Sequence, residues 1–195
     1  MTTWHNITVG QYQQLYAIMK SEADDFDKEL QIVALLTGKD VEALPLDEYK
    51  KLKETTLWAF ESIPEGKPIK RFGKYKLIRK VQDLDAGRYI SLQGFLQMDM
   101  VENLHNLMAC IVKPRWRKYN GDNHEQYAED CRNAPFLALY QTMVFFCKVF
   151  NNSMQDLQPF LASQIMTAPN LTKEQKEEQL ANLKNTLAGL PMLNE

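Results

Sequence analysis

Apolar residues recur at three- and four-residue spacing along most of this chain, and helix-capping chemistry marks the places where that rhythm starts and stops. Tyr12, Leu15, Tyr16 and Met19 form the first stripe, the buried face of a helix. Thr8 and Gln11 open it with the spacing of a capping box, in which each side chain satisfies a backbone donor at the helix start. Asp24, Asp25 and Asp27 open a second helix, and Gly38 supplies its left-handed stop after Leu30, Ile32, Val33, Leu35 and Leu36. Pro45 opens a third, carrying Tyr49, Leu52, Leu57, Trp58 and Phe60 as far as Pro64.

Between Gly66 and Ile78 the period changes to that of a β-hairpin. Ile69 to Ile78 predicts two short strands around Gly73-Lys74, with glycine at the first turn position of a type II′ turn. A lone two-stranded ribbon is marginal in water, so it must pack on helices or on another chain.

Helical spacing resumes after Asp83 and Asp85, through Tyr89, Ile90, Leu92, Phe95 and Leu96. Asp99 and Glu102 have the spacing of a second capping box before Leu104, Leu107, Met108, Ile111 and Val112, and Pro114 stops that run. A loop from Arg115 to Asn123, with Asn120-Gly121 as a turn signal, leads to a short polar helix around Tyr127. Pro135 suits the first position of an apolar helix from Phe136 to Phe150, and Ser153 with Asp156 predicts a separate helix reaching Ile165. Pro169 marks a break. Thr172 and Gln175 then cap a last helix, closed by Gly189 and Pro191.

The expected fold is mainly α, a helical bundle of about eight or nine helices with one inserted β-hairpin near residues 67–78. The expected organisation is an N-terminal helical unit (1–66), a basic hairpin (67–80), a C-terminal bundle (81–168) and a terminal amphipathic helix (169–195).

Composition narrows the function class. The 195 residues are 45% hydrophobic and 25% charged, ordinary for a globular protein. No apolar run approaches the roughly 20 residues of a membrane span, and Met1 to His5 open no signal peptide. Cys110, Cys131 and Cys147 are odd in number and set in apolar surroundings, as buried thiols of a reducing compartment would be.

Charge changes the picture more. The net charge of −2 divides into −6 over residues 1–66, +8 over 67–118 and −4 over 119–195. The basic middle holds the hairpin cations Lys67, Lys70, Arg71, Lys74 and Lys76, and the loop cations Arg115, Arg117 and Lys118 beside Trp116 and Tyr119. Those eight cations are the expected electrostatic contacts to a partner, with Trp116 as an apolar one. Cations interleaved with aromatics also suit phosphates and bases, which makes a nucleic-acid-associated protein the alternative. A pI of about 6.0 weighs against it. Leu180, Leu183, Leu187 and Leu190 form a narrow apolar stripe on the last helix, suited to a groove on this chain or on a partner.

Catalytic chemistry finds little support. Glu102 and His105 have the spacing by which one helix ligates a di-iron site, but no second such pair exists in the chain. A capping glutamate and a satisfied histidine is the plainer reading. His5 and His124 have no spaced companion for zinc, and there is no glycine-rich phosphate loop. No cofactor, metal or catalytic residue is expected.

One further pattern runs from Ile7-Thr8-Val9 with Tyr12, through Gly73-Lys74-Tyr75 and Asp85-Ala86-Gly87-Arg88-Tyr89-Ile90, to Glu102-Asn103-Leu104-His105 and the proline loop ending at Tyr119. It resembles small helical proteins encoded among the tail and neck genes of tailed bacteriophages, particularly those infecting Bacteroidetes hosts, over roughly two thirds of the chain. The resemblance implies a non-catalytic role in building the virion. The chain would either stay in the particle, as a neck or tail-ring subunit or an internal packed protein, or act as a tail-assembly chaperone that leaves before the particle is finished. Its partners would be tape-measure, portal, neck or tail-ring proteins, or further copies of itself, in the virion or the host cytoplasm.

Overall fold

A computed structural model describes residues 3–40, 42, 43, 45–114, 119–167 and 172–188, with the side chains of 121, 151, 154–161, 164 and 182–188 left aside. The chain is mainly helical, with one small antiparallel sheet. The helices are α1 (Val9–Lys20), α2 (Asp25–Thr37), α3 (Leu46–Thr56), α4 (Ala86–Leu96), α5 (Leu104–Ile111), α6 (Gly121–Arg132), α7 (Phe136–Thr167) and α8 (Lys173–Ala188). Three strands, β1 (Arg71–Phe72), β2 (Tyr75–Leu77) and β3 (Val112–Pro114), pair in the order β1-β2-β3.

The local signals act where the sequence puts them. Thr8 Oγ1 accepts from Gln11 N at 3.1 Å while Gln11 Oε1 accepts from Thr8 N at 2.9 Å, a complete capping box. Asp24 caps α2, and Gly38 ends it at φ +69° with its N–H donating to Ala34 O. Thr172 and Gln175 exchange the same pair of bonds as Thr8 and Gln11 at the start of α8. At the hairpin Phe72 pairs with Tyr75, leaving Gly73-Lys74 as the turn. Positive φ occurs at Gly73 and not at Lys74, the signature of type II′.

Four expectations are corrected. The run to Pro64 is not one helix: α3 ends at Thr56 and a 3-10 turn, Leu57–Phe60, completes it. Asp99 Oδ1 accepts from Val101 N and Glu102 N in a turn, and α5 starts later, at Leu104. The loop expected to reach Asn123 stops earlier, because Asn120 and Asn123 form a capping box and α6 begins at Gly121. Finally, α7 runs unbroken for 32 residues. Ser153 Oγ donates to Val149 O at 2.8 Å inside that helix, so its hydroxyl is satisfied one turn back rather than capping a new start.

The strand β3 is an addition to the expected hairpin. Val112, Lys113 and Pro114 pair with Leu77, Lys76 and Tyr75, which converts a marginal ribbon into a three-stranded sheet whose inner face is buried. Tyr75, Leu77 and Val112 are that inner face.

One main apolar cluster spans the chain from Trp4 to Phe150. Trp4, Ile7, Val9 and Leu15 meet Leu107, Met108 and Ile111 of α5 and Phe136, Phe146 and Phe150 of α7. Tyr12 stacks on Phe136 with ring centroids 3.9 Å apart. Burial of each large side chain contributes roughly 1.5–3 kcal/mol. Backbone bonds from Val9 N to Ala134 O and from Phe136 N to Ile7 O stitch the start of α1 to the start of α7. Val33 and Tyr49 form a smaller cluster between α2 and α3. Cys110, Cys131 and Cys147 are free and buried, and burial pushes the thiols of Cys110 and Cys147 up to about 12.

Candidate functional site: the basic sheet face

The outer face of the sheet carries a row of cations. Arg71 on β1 pairs across with Lys76 on β2, and Lys76 pairs across with Lys113 on β3. Directly opposed side chains on one face of an antiparallel pair start about 5 Å apart. Alternation along β2 explains why the cations face outward: Tyr75 and Leu77 are buried and Lys76 between them is exposed. Among the described residues, no carboxylate forms an ion pair with any of the three. Like charges placed directly opposite one another cost stability, so the row is a standing electrostatic strain that an anion would relieve.

Around this row lies a concavity of about 440 Å³, bounded by Arg71, Gly73, Lys74, Tyr75, Lys76 and Lys113. Lys74 differs from its neighbours, because its Nζ sits 2.8 Å from Asp130 Oδ2 of α6. The Tyr75 hydroxyl donates to the same carboxylate, and Gln126 Nε2 donates to its other oxygen at 3.0 Å. Lys74 and Tyr75 hold the Asp130 carboxyl below the usual range, against the opposing effect of burial. Lys74 therefore pins the turn to α6. Lys70 and Lys80 are exposed and line a neighbouring hollow with Lys76, and Lys67 is exposed.

Arg88 builds the junction that aims β3. Its side chain is 2% exposed, and Nη1 donates to the carbonyls of Ala109, Cys110 and Val112 at 3.3, 2.9 and 2.6 Å. Nε donates to Asp85 Oδ2 at 3.1 Å, and the guanidinium lies 4.3 Å from the centroid of the Tyr119 ring. One arginine thus satisfies carbonyls left over where α5 ends and β3 begins.

Glu102 and His105 point to different partners. Glu102 lies 3.4 Å from Lys20 Nζ. His105 lies between Gln13 Nε2, 2.9 Å from Nδ1, and Arg132 Nη2, 3.0 Å from Nε2. Arg132 and the Gln13 amide nitrogen are both donors, and a neutral imidazole has one acceptor nitrogen, so the tautomer decides which of them His105 accepts from. Burial first, and Arg132 second, push its pKa down to about 4. Among the described residues, no group of three His, Cys, Asp or Glu side chains converges as metal ligands. His124 stacks on Phe95 and meets the Tyr119 hydroxyl at 2.8 Å.

Of the expected contact residues, the structure brings Arg71 and Lys76 together, sets Lys70 near Lys76, leaves Lys67 exposed and ties Lys74 to Asp130. Arg115, Trp116, Arg117 and Lys118, which follow β3 directly, lie outside the described residues. Leu180 is half-buried on α8, which packs against α7, whereas the side chains of Leu183, Leu187 and Leu190 lie outside the described set. Lys113 heads the basic Lys113–Tyr119 segment of the sequence, but its place in this row was not legible there, because three residues ending in proline give no strand signal.

Comparison with protein-family models, with curated proteins and with solved structures finds no match to this chain.

Proposed function

We propose that this protein is a non-catalytic binding component that captures acidic protein surfaces on its basic sheet face. The observation that carries the reading is the register Arg71–Lys76–Lys113, three cations in line with no counter-charge among the described residues. Carboxylates on one face of a partner helix are spaced at about 5–6 Å, which matches the spacing of the row. The resemblance to tail and neck proteins of tailed bacteriophages supplies the setting, a part of the virion or a chaperone of its assembly. The sequence loop that continues from Lys113 to Tyr119 extends the same charge.

Fluorescence anisotropy with a labelled polyglutamate peptide tests the chemistry. The variant Arg71→Glu/Lys76→Glu/Lys113→Glu should bind at least about tenfold more weakly, a change of about 1.4 kcal/mol, with an unchanged circular dichroism spectrum. Equal binding by the variant refutes the reading. Tighter binding of a single-stranded DNA, falling steeply with salt, would instead favour the nucleic-acid alternative. Mass spectrometry of purified virions separates the two phage roles: many copies identify a structural part, and absence identifies a chaperone.

A further inference from the structure

Phe26 is 62% exposed on the first turn of α2. Four carboxylates surround it in sequence, Glu22, Asp24, Asp25 and Asp27, and all four are exposed. Among the described residues no cation forms an ion pair with any of them. An aromatic knob set in negative charge is therefore presented to solvent.

The opposite shape exists on another part of the molecule. Between β2 and α7 lies a groove of about 500 Å³ whose floor is Leu77, Phe145 and Val149. Lys70, Arg79 and Lys80 stand on its rim, Lys76 joins it to the cation row, and among the described residues Asp83 is the one carboxylate lining it. The Arg79 guanidinium lies over the Phe145 ring, 5.2 Å from its centroid. Its Nε is buried with no hydrogen-bond partner among the described residues. Buried donors are ordinarily paired, so this groove has an apolar floor, a cationic rim and an unanswered donor.

We infer that two copies of this chain associate head to tail, with Phe26 of one copy seated in the Leu77–Phe145–Val149 groove of the next and its flanking carboxylates on the cationic rim. Knob and groove match in apolar character and in opposite charge, and among the described residues each is uncovered on its own chain. They are different surfaces, so the contact is heterologous, and repeating it gives a ring or an open filament. One aromatic anchor with a charged surround covers less than the roughly 800 Å² per partner of a standard interface, so association is weak and salt-sensitive. The inference rests on the reading of the basic face as a receptor for acidic protein, and names the partner as a second copy.

Sedimentation velocity from micromolar to millimolar loading tests it. The wild-type mass should rise above 22.7 kDa with concentration, and added salt should reverse the rise. Phe26→Ala and Lys70→Glu/Lys80→Glu should each associate at least about tenfold more weakly. All three changed residues are exposed, and circular dichroism should be unchanged. Mixed in equal amounts, the two variants should form a dimer and nothing larger, because only one knob and one groove remain competent. A wild type that stays monomeric throughout overturns the inference, as does either variant associating like wild type. Neither result touches the acidic-partner reading, which the polyglutamate titration decides separately.

Discussion

Arg88 Nη1 donates to Val112 O at 2.6 Å, and that bond ties the third residue of α4 to the first residue of β3. The same nitrogen reaches the carbonyls of Ala109 and Cys110 at the end of α5. A helix C-terminus carries partial negative charge and unsatisfied carbonyls, so a buried guanidinium is stabilised there. Desolvation is the main effect lowering the Arg88 pKa, with Asp85 acting against it.

Replacing Arg88 by methionine keeps much of its volume and removes every one of those donors. Urea denaturation should show a loss of about 3 kcal/mol, the scale expected when one partner of a buried charged network is deleted. A loss below about 1 kcal/mol would show that water substitutes for the guanidinium.

Lys76→Glu should move stability and binding in opposite directions. A glutamate between Arg71 and Lys113 turns two repulsive cross-strand pairs into attractive ones, worth about 0.5 kcal/mol in thermal or urea unfolding. The same change should weaken polyglutamate binding. If stability falls instead, the cations do not repel across the strands as their register implies.

Thr142 is buried on α7, where its hydroxyl accepts from Ile69 N at 3.0 Å and donates to Ala138 O. Thr142→Val keeps the shape and leaves the Ile69 amide unpaired, so unfolding should cost about 1–2 kcal/mol less. The segment entering β1 should also lose amide protection in hydrogen exchange. Unchanged protection at Ile69 would show that this bond does not hold the strand.

Histidine protonation sets an acid limb. His105 titrates at about 4 in the folded chain and at about 6.5 when unfolded. The unfolded state therefore binds the extra proton first, and stability present above about pH 6.5 is lost as pH falls toward 4. His124 is shifted in the same direction by burial and by Arg88. His105→Gln should make the stability–pH slope shallower across that window in denaturant melts taken at successive pH values. An identical slope would place the titration elsewhere.

Features decided within a few residues were legible in the chain: the Thr8–Gln11 box, the Gly38 stop, the Gly73 turn and the Thr172–Gln175 box all form. Each is a local hydrogen bond or a local φ. What escaped depends on partners distant in sequence. Val112-Lys113-Pro114 becomes a strand only because Tyr75–Leu77 offers an edge, and without that edge Pro114 looks like a helix stop. Arg88 resembles a surface cation until α5 arrives to bury it. The split expected at Ser153 failed for the opposite reason, since a hydroxyl can bond its own helix as readily as it can cap the next. Of the candidate site, the sequence showed which residues were basic but not their alignment, which is a property of strand register.

Arg71 and Lys113 stand 42 positions apart in the chain and become neighbours of Lys76 only when β3 closes the sheet. A nascent or unravelled polypeptide would offer the same charges scattered, without a common face. Any ligand that requires all three thus inspects the chain for completed folding before it engages. By mass action it would also hold the chain folded, raising the unfolding free energy by RT ln(1 + [L]/Kd).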